Sequence, residues 1–237
     1  MMTWMKALLG DGTASLVLTQ KGYGHVYGAS LTANLAMSYA NVDGGSAPAA
    51  GDLVVWIAAG ADSAGDPVAD LTGSGWAQGT GTWSAANDVN AAIFAKVVVA
   101  GDLSSPPTMI SAPESGSIGF WVAYSISGSV TSLSVSSILQ EYSGTSAPSN
   151  QVQDSTGGAP KYAVTLGLGG TSSGSPTLTL TGATTDIDFA TAANVWIISQ
   201  SEDRLKVNLS AGGANVTFSK ADDGSGNHMI SGYVTIN

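Results

Sequence analysis

The chain has 237 residues, of which 43% are hydrophobic and only 10% are charged, and its formal net charge is −10. This is enough apolar material for a sizeable core, and the moderate Gly and Pro content indicates a folded, loop-rich protein rather than a low-complexity chain. Seven scattered Lys and Arg residues exclude the basic stripe that nucleic acids and anionic membranes require, and the lack of cysteine excludes disulfides, thiolate metal sites and a cysteine nucleophile.

The N-terminal segment, residues 1–13, is predicted to be a lead-in arm. Its apolar stretch, Ala7–Leu9, is shorter than the ~7–15 residues of a secretory h-region, so we expect no signal peptide. No stretch of the chain approaches the ~20 apolar residues of a membrane-spanning helix. The sequence therefore predicts synthesis in the cytoplasm and no contact with a membrane.

The first strands are predicted between residues 14 and 57. Ala14–Gln20 is a candidate strand, and the Gly-rich segment Gly22–Gly28 is predicted to be a turn. The segment 31–42 fits both a helical and a β period, and we favour a strand because it leads directly into a turn. The run Leu53–Ile57 is too uniformly apolar for a strand with one wet face, so it predicts a strand that is buried on both faces.

Residues 60–90 are predicted to form a long loop, and strands then recur about every 10–20 residues with turn residues between them. These predicted strands are 91–99, 118–126, 129–139, 162–168, 176–180, 194–199, 205–209, 214–218 and 229–236. No amphipathic helix of about 15 residues is found. The pattern predicts an all-β, antiparallel, jelly-roll-like β-sandwich, and we assign residues 14–237 to one domain.

Two groups of aspartates are candidates for a metal site. Asp62, Asp66 and Asp70 are spaced four apart in a Gly- and Ala-rich segment, and oxygen ligands of this kind suit calcium. The spacing is not that of an EF-hand loop, and a solvated polar loop explains it. Asp222 and Asp223 precede Gly224–Asn227, where a turn is the simpler explanation. We therefore predict no metal and no cofactor.

The sequence offers little for an enzyme. Gly170–Gly174 matches the nucleophile elbow of hydrolases around Ser172, but it lies in a Ser- and Gly-rich segment between strands, which is the wrong context. His25 and His228 are the only histidines available as a general base. The chain has three glutamates, Glu114, Glu141 and Glu202. None of them lies in a signature that names a general acid or base, so we predict no catalytic residues.

Five of the six tryptophans, all except Trp4, divide into two groups. Trp56, Trp121 and Trp196 lie in apolar runs and are predicted to be core residues. Trp76 and Trp83 lie in a Gly- and Thr-rich segment, where an amphipathic ring is suited to stack on a sugar or a neighbouring subunit. The alternative is that both rings fold back onto the sandwich.

Tyr23 and Tyr27 are the remaining candidates for a glycan or partner contact. They flank His25 in the segment predicted as a turn, where the aromatic rings and the histidine are suited to a surface contact. The alternative is a loop that packs on the edge of the core.

Four stretches together resemble a known family. Pro48–Trp56 is followed by Gly75-Trp76, then by the lysine-bearing strand Ile93–Asp102, and then by Trp121–Ser125. This order resembles a jelly-roll domain that recurs in tailed-bacteriophage virion proteins, including head decoration and tail-associated proteins. The resemblance is best over residues 48–126 and looser over 14–237, and residues 1–13 lie outside it.

The resemblance implies a structural protein on the virion surface. The "GDL" strand, the "GW" loop and the lysine-bearing strand are framework features of that family, which has no shared catalytic residues. We therefore expect a capsid decoration or cement protein that contacts the major capsid protein, other virion proteins and copies of itself. The alternative is a tail-associated adhesin that binds a host surface glycan or receptor. A virion component leaves the host by lysis, which agrees with the lack of an export signal.

Overall fold

The structure is a computed structural model that describes residues 15–28, 35–61, 71, 74–82, 89–110, 117–142, 157–170, 177–191, 203–220 and 228–237. Within these ranges the chain forms sixteen β-strands and one short α-helix, α1 (Ala100–Ser104). No helix in these ranges is long and apolar enough to cross a membrane. The predicted N-terminal arm, residues 1–13, lies outside them.

The strands fall into two halves along the chain. The first half contains β1 (Val17–Gly28), β2 (Leu35–Ala36), β3 (Gly44–Gly45), β4 (Leu53–Ala61), β5 (Ala77–Thr82), β6 (Val89–Val97), β7 (Thr108–Ile110) and β8 (Ser117–Ser127). The second half contains β9 (Leu133–Val135), β10 (Leu139–Tyr142), β11 (Tyr162–Gly170), β12 (Leu178–Thr181), β13 (Ile187–Thr191), β14 (Asp203–Ala211), β15 (Thr217–Lys220) and β16 (His228–Ile236).

Two antiparallel sheets pack against each other, so the predicted all-β sandwich is confirmed. The first sheet has the strand order β3-β1-β8-β4-β6-β5, and the second has the order β10-β16-β11-β14-β13 with β9 also paired to β16. The jelly-roll part of the prediction is not confirmed, since each sheet takes its strands from one half of the chain.

The strand β4 shows why the sequence has a continuous apolar run. Leu53, Val55 and Ile57 point into the core between the two sheets. Val54 and Trp56 point to the opposite face, where they pack in a second buried cluster. The prediction of a strand buried on both faces is therefore confirmed, because alternate side chains enter two different cores.

The second cluster is covered by an outer layer on the first sheet. The short strands β2 and β7 pair with each other, and Met37, Leu71 and Met109 pack with the tryptophans of the sheet. Tyr39 lies at the margin of this layer, where the indole nitrogen of Trp56 donates to its hydroxyl at 3.4 Å. Burial raises the pKa of Tyr39 to about 12, helped by the Asp102 carboxylate and opposed by the Trp56 hydrogen bond.

The second sheet has a smaller cover on its outer face. Strands β12 and β15 form a two-stranded sheet and enclose a third cluster with Leu178, Val216, Phe218 and Met229. A Cβ atom at Gly167 would overlap the ring of Phe218. The layers of the molecule are therefore the outer layer, the first sheet, the second sheet and the outer two-stranded sheet.

The prediction of a turn at Gly22–Gly28 is wrong, because β1 continues to Gly28 and pairs with β8 along its whole length. The glycines have a different role from the one inferred. A Cβ atom at Gly22 would overlap the backbone of Ser46, and one at Gly24 would overlap the Asn41 carbonyl and the Trp121 ring. Glycine is therefore required for the close approach of neighbouring backbone and not for chain reversal.

Other element predictions differ from the structure in extent. Strand β5 lies inside the predicted loop 60–90, and the predicted strand 31–42 forms regular structure only at β2 within the described residues. Strand β13 was not predicted, since its sequence is too polar for an apolar run. The predicted strand 194–199 lies outside the described residues.

The two ends of the sandwich differ in how the chain passes between strands. We call the end where β1 begins, with Val17 opposite Ser127, the turn end. It contains the connections 46–52, 98–107, 128–132, 157–161, 182–186 and 212–216. We call the other end, where Gly28 lies opposite Ser117 and Gly170 lies opposite Asp203, the far end. Eight internal segments outside the described residues are each joined to a strand there: 29–34, 62–70, 83–88, 111–116, 143–156, 171–176, 192–202 and 221–227.

Candidate functional site

A row of rings on β1 forms the candidate site. Tyr23, His25 and Tyr27 occupy alternate positions of the strand, so their side chains share the face that looks toward the second sheet. The His25 and Tyr27 rings are nearly parallel, at 12°, with centroids 6.3 Å apart. The row begins in the core and ends at the far end, where Tyr27 is 51% exposed.

Phe189 of β13 closes the row from the opposite sheet. Its ring centroid lies 5.7 Å from that of Tyr23, in an edge-to-face arrangement, and 5.7 Å from that of His25. It also contacts the buried ring of Phe120 at 5.9 Å. Edge-to-face and tilted aromatic pairs are favourable at these separations, so Phe189 fixes the inner part of the row to the core.

A carboxylate orients the histidine of the row. His25 Nδ1 donates to Asp43 Oδ2 at 2.6 Å, and both side chains are mostly buried. The backbone of Asp43 is held in turn, since its N–H donates to the Tyr23 carbonyl at 2.9 Å. The acceptor on Nδ1 fixes the ring plane and leaves Nε2 as the other nitrogen available for a polar contact.

We name the set Tyr23, His25, Tyr27, Asp43 and Phe189 the β1 aromatic row. Its exposed end presents the ring of Tyr27, which is suited to stacking against a sugar ring or a flat side chain. Its inner end, with Phe189 and Phe120, is packed against the core.

Tyr23 and Tyr27, two of the predicted contact residues, are brought together in this row, although in a strand and not in a loop. Trp76 is not part of it. Its side chain is 1% exposed and packs in the outer layer of the first sheet. The ring has almost no surface to offer a ligand, so the alternative stated for it, folding back onto the sandwich, describes its position. Trp83 lies outside the described residues.

Trp76 belongs to a structural cluster near the turn end. The Lys96 ammonium lies 5.8 Å from the centre of a Trp76 ring and donates to the Ser74 carbonyl at 2.7 Å and to Asp102 Oδ1 at 2.8 Å. The other oxygen of Asp102 accepts from the Val99 N–H at 2.8 Å, at the start of α1. One lysine thus ties the loop before β5 to the connection after β6.

Asp52 has the corresponding role in the connection before β4. Its Oδ2 accepts from the Ala49 N–H at 2.7 Å and from Lys21 Nζ at 2.6 Å. Gly51, which precedes it, has φ +94°, in the left-handed region that favours glycine. The Gly-Asp pairs at 51–52 and 101–102 are therefore turn-forming elements whose carboxylates also hold a lysine.

The other candidates for chemistry fall largely outside the described residues. This holds for Asp62, Asp66, Asp70, Asp222 and Asp223 and for Ser172. Gly170 is the last residue of β11 and His228 is the first residue of β16, and the two residues are paired in the sheet. Among the described residues, no group of three or more His, Asp or Glu side chains is placed to hold a metal ion.

Two residues of the row were missed from the sequence. Asp43 is a single acid beside a Gly-Gly turn, and nothing in the sequence links it to His25, 18 residues earlier. Phe189 lies in a short, half-polar strand of the opposite sheet, so only the packing of the sheets brings it to β1. The alternation of rings at 23, 25 and 27 was the one local signal, and it is typical of a strand rather than of a turn.

No family model matches the chain, and neither the curated proteins nor the solved structures contain a significant match to it.

Proposed function

We propose that the protein is a structural component of a bacteriophage virion that decorates or cements the capsid. It would act by protein–protein contact, with the major capsid protein or other virion proteins and with copies of itself. The proposal extends the resemblance of residues 48–126 to tailed-phage virion proteins.

The observation that carries the proposal is the arrangement of the residues behind that resemblance. Trp76, Lys96 and Asp102 contact one another or a shared partner, and Asp52 holds the turn before β4. They act as framework, which is the role the resemblance implies for them.

Composition supports a role in contact. Only 10% of the residues are charged, and ion pairs occupy Lys21, Asp52, Lys96 and Asp102. A surface of Ala, Gly, Ser and Thr loses little hydration energy when another protein covers it, since charged groups are the costly ones to desolvate. Such a surface suits repeated, symmetric association on a particle.

The test is binding of the purified full-length chain to capsid particles that lack it. We expect saturable co-sedimentation, with a fixed number of copies per particle, and visible extra density in electron cryo-microscopy. Deletion of residues 1–13 is expected to abolish attachment while the thermal unfolding midpoint is unchanged. A full-length chain that sediments alone at every particle concentration contradicts the proposal.

A tail-associated adhesin is the second candidate, and one observation favours it. Tyr27 is 51% exposed and parallel to His25, which Asp43 holds in place, so a ring face suited to stacking on a sugar is held at the surface. Titration with host surface polysaccharide, followed by calorimetry, tests this. Binding should be lost in Tyr27→Ala and retained in the control Val99→Ala. Equal binding by both variants would show that the β1 aromatic row does not bind the polysaccharide.

A further inference from the structure

The turn end of the sandwich is electrically neutral. Its charged side chains are three lysines and three aspartates: Lys21, Lys96, Lys161, Asp52, Asp102 and Asp186. The whole chain has a formal net charge of −10. The net negative charge of the protein therefore belongs entirely to the rest of the chain.

Most of these six charges are already engaged within the protein. Lys21 pairs with Asp52 at 2.6 Å, and Lys96 pairs with Asp102 at 2.8 Å. Asp186 is more exposed, but one of its oxygens accepts from the Leu209 N–H at 2.6 Å. Covering this end would require little rearrangement of charge, because the paired groups keep their partners.

The turn end also exposes apolar side chains. Four large hydrophobic residues are exposed among the described residues, and two of them lie here: Val99 is 56% exposed and Val17 is 43% exposed. They lie at the ends of β6 and β1, with β8 and β4 between these strands. Around them the connections consist largely of Ala, Gly, Ser and Thr. In composition this surface is closer to the core of a protein interface, where charged residues are rare, than to an ordinary solvated surface.

The chain enters the sandwich at the same end. Ser15 precedes β1, whose first residue, Val17, lies opposite Ser127. Residues 1–14 are thus joined to the molecule at its neutral end. A partner that binds both this segment and the body of the protein is most simply reached there.

The segments that adjoin the far-end strands differ in composition. The eight internal segments joined to strands there contain no Lys or Arg and nine acidic residues: Asp62, Asp66, Asp70, Asp88, Glu114, Asp154, Glu202, Asp222 and Asp223. The balance of charged side chains at the turn end is therefore not shared by the rest of the chain.

We propose that the turn end is the face that docks on the protein shell of the particle, so that the far end and the β1 aromatic row point away from it. This inference rests on the proposed function and adds the orientation. The occupant is a neutral, weakly polar protein surface of the shell, since exposed valines and small side chains complement such a surface and offer no net charge to an ionic one.

The test compares substitutions that add a charge at the turn end with matched substitutions elsewhere, all in the full-length chain. Val99→Glu and Val17→Glu place a charge at the turn end. Val42→Glu is the matched control, because Val42 is a valine of similar exposure, 41%, that precedes the edge strand β3 and lies outside the turn-end connections. Tyr27→Glu places the same charge at the far end. Each variant is mixed with capsid particles that lack the protein, and binding is measured by co-sedimentation. Thermal unfolding and sedimentation velocity of each free variant monitor folding and self-association.

We expect Val99→Glu and Val17→Glu each to weaken particle binding by about tenfold or more, at unchanged unfolding midpoint, because a buried unpaired charge opposes association. Val42→Glu should bind like the wild type. Loss of binding in Tyr27→Glu alone would reverse the orientation, and wild-type binding by Val99→Glu and Val17→Glu would place the docking face elsewhere.

Two further outcomes separate the inference from its premise. If the turn-end variants alter only self-association of the free chain, this end is an interface between copies and the orientation is wrong. If the wild type itself binds no particle, the proposed virion function fails, and the orientation fails with it.

Discussion

At the turn end of the sandwich, largely buried carboxylates and left-handed glycines fix how the chain reverses, whereas the described part of the far end consists of strand termini beside the half-exposed ring of Tyr27. Asp52 and Asp102 each cap a turn and hold a lysine. Tyr27 projects beyond the core with half of its surface free. The difference teaches that specific side-chain and backbone geometry holds one end, while the other carries a ring that has little burial to lose. The following substitutions break or sharpen that contrast, beginning with the largest effect.

Gly182→Ala is expected to be the most damaging change at the turn end. Gly182 has φ +92°, and a Cβ atom there would overlap the Asn215 carbonyl of the neighbouring connection. We expect a loss of about 3 kcal/mol in the free energy of unfolding, measured by urea denaturation.

Gly51→Ala is the matched control for that change. Gly51 has φ +94°, but nothing lies within 4 Å of a Cβ atom there. The strain of the left-handed conformation alone should cost about 1 kcal/mol. Equal losses in the two variants would show that backbone conformation, and not the packing of one connection on another, governs this end.

Asp52→Ala should destabilise the protein by about 2–3 kcal/mol. The substitution removes the acceptor of the Ala49 N–H and leaves the partly buried Lys21 ammonium without its carboxylate. Asp52→Asn keeps an acceptor for Ala49 and should recover about half of the loss. Urea denaturation of both variants measures this, and an Asn variant as unstable as the Ala variant would assign the whole effect to the lysine.

Alkaline pH should destabilise the protein through Tyr39, which lies near the Asp102 carboxylate. Its pKa is raised to about 12, so between pH 10 and 12 the unfolded chain releases this proton and the folded protein retains it. The free energy of unfolding is therefore unaffected by this group below pH 10, and above pH 10 it falls by up to about 1.4 kcal/mol per pH unit.

Tyr39→Phe should make the free energy of unfolding less steep between pH 10 and 12 than in the wild type. A residual slope is expected from Tyr124, whose pKa burial also raises. An unchanged slope in Tyr39→Phe would show that the hydroxyl ionises without cost in the folded protein.

Acid pH should act on the second sheet through Asp188. The Arg204 guanidinium donates to both carboxylate oxygens, at 2.6 and 2.8 Å, and Lys206 lies 3.0 Å away. The Arg204 hydrogen bond, with help from Lys206, lowers the pKa of Asp188. The stabilisation that the ionised Asp188 gives the folded protein is present above the unfolded pKa of about 3.9. It is lost as the pH falls through the lower pKa of the folded state.

Asp188→Asn should therefore cost about 1 kcal/mol or less at pH 7, because the pair is partly solvated. The difference from the wild type should shrink below pH 4. Urea titrations at pH 7, 4 and 3 test the trend, and a difference that stays constant over this range would assign it to packing.

Tyr27→Ala should have the smallest effect, within about 0.5 kcal/mol, because its exposed ring loses little burial. Thermal unfolding provides the measurement. A loss comparable to that of Asp52→Ala would mean that the far end depends on this ring for structure, and the contrast between the two ends would disappear.

Much of the fold was predictable where burial is continuous. The run Leu53–Ile57 identifies a doubly covered strand because only two facing cores demand apolar side chains at every position. Gly22 and Gly24 led to the wrong element, since a glycine required by the close approach of Ser46 or Asn41 has the same sequence signature as a glycine in a turn.

The candidate site was less predictable than the fold. Tyr23 and Tyr27 could be selected from local sequence, but Asp43 and Phe189 join them through strand pairing and sheet packing over long sequence separations. Trp76 illustrates the converse. Its neighbours are small and polar in sequence, and only the position of Lys96 and the outer layer shows that the ring is enclosed.

The three tryptophans that the structure describes, Trp56, Trp76 and Trp121, all lie in the cluster beneath the outer layer of the first sheet, and the core between the sheets contains none of them. Their share of the tryptophan emission should therefore report detachment of that layer, while circular dichroism in the far ultraviolet follows the sheets. If the layer peels away first, the two spectroscopic transitions will separate along a denaturant series, and the molecule will reveal a partly unfolded state without any added label.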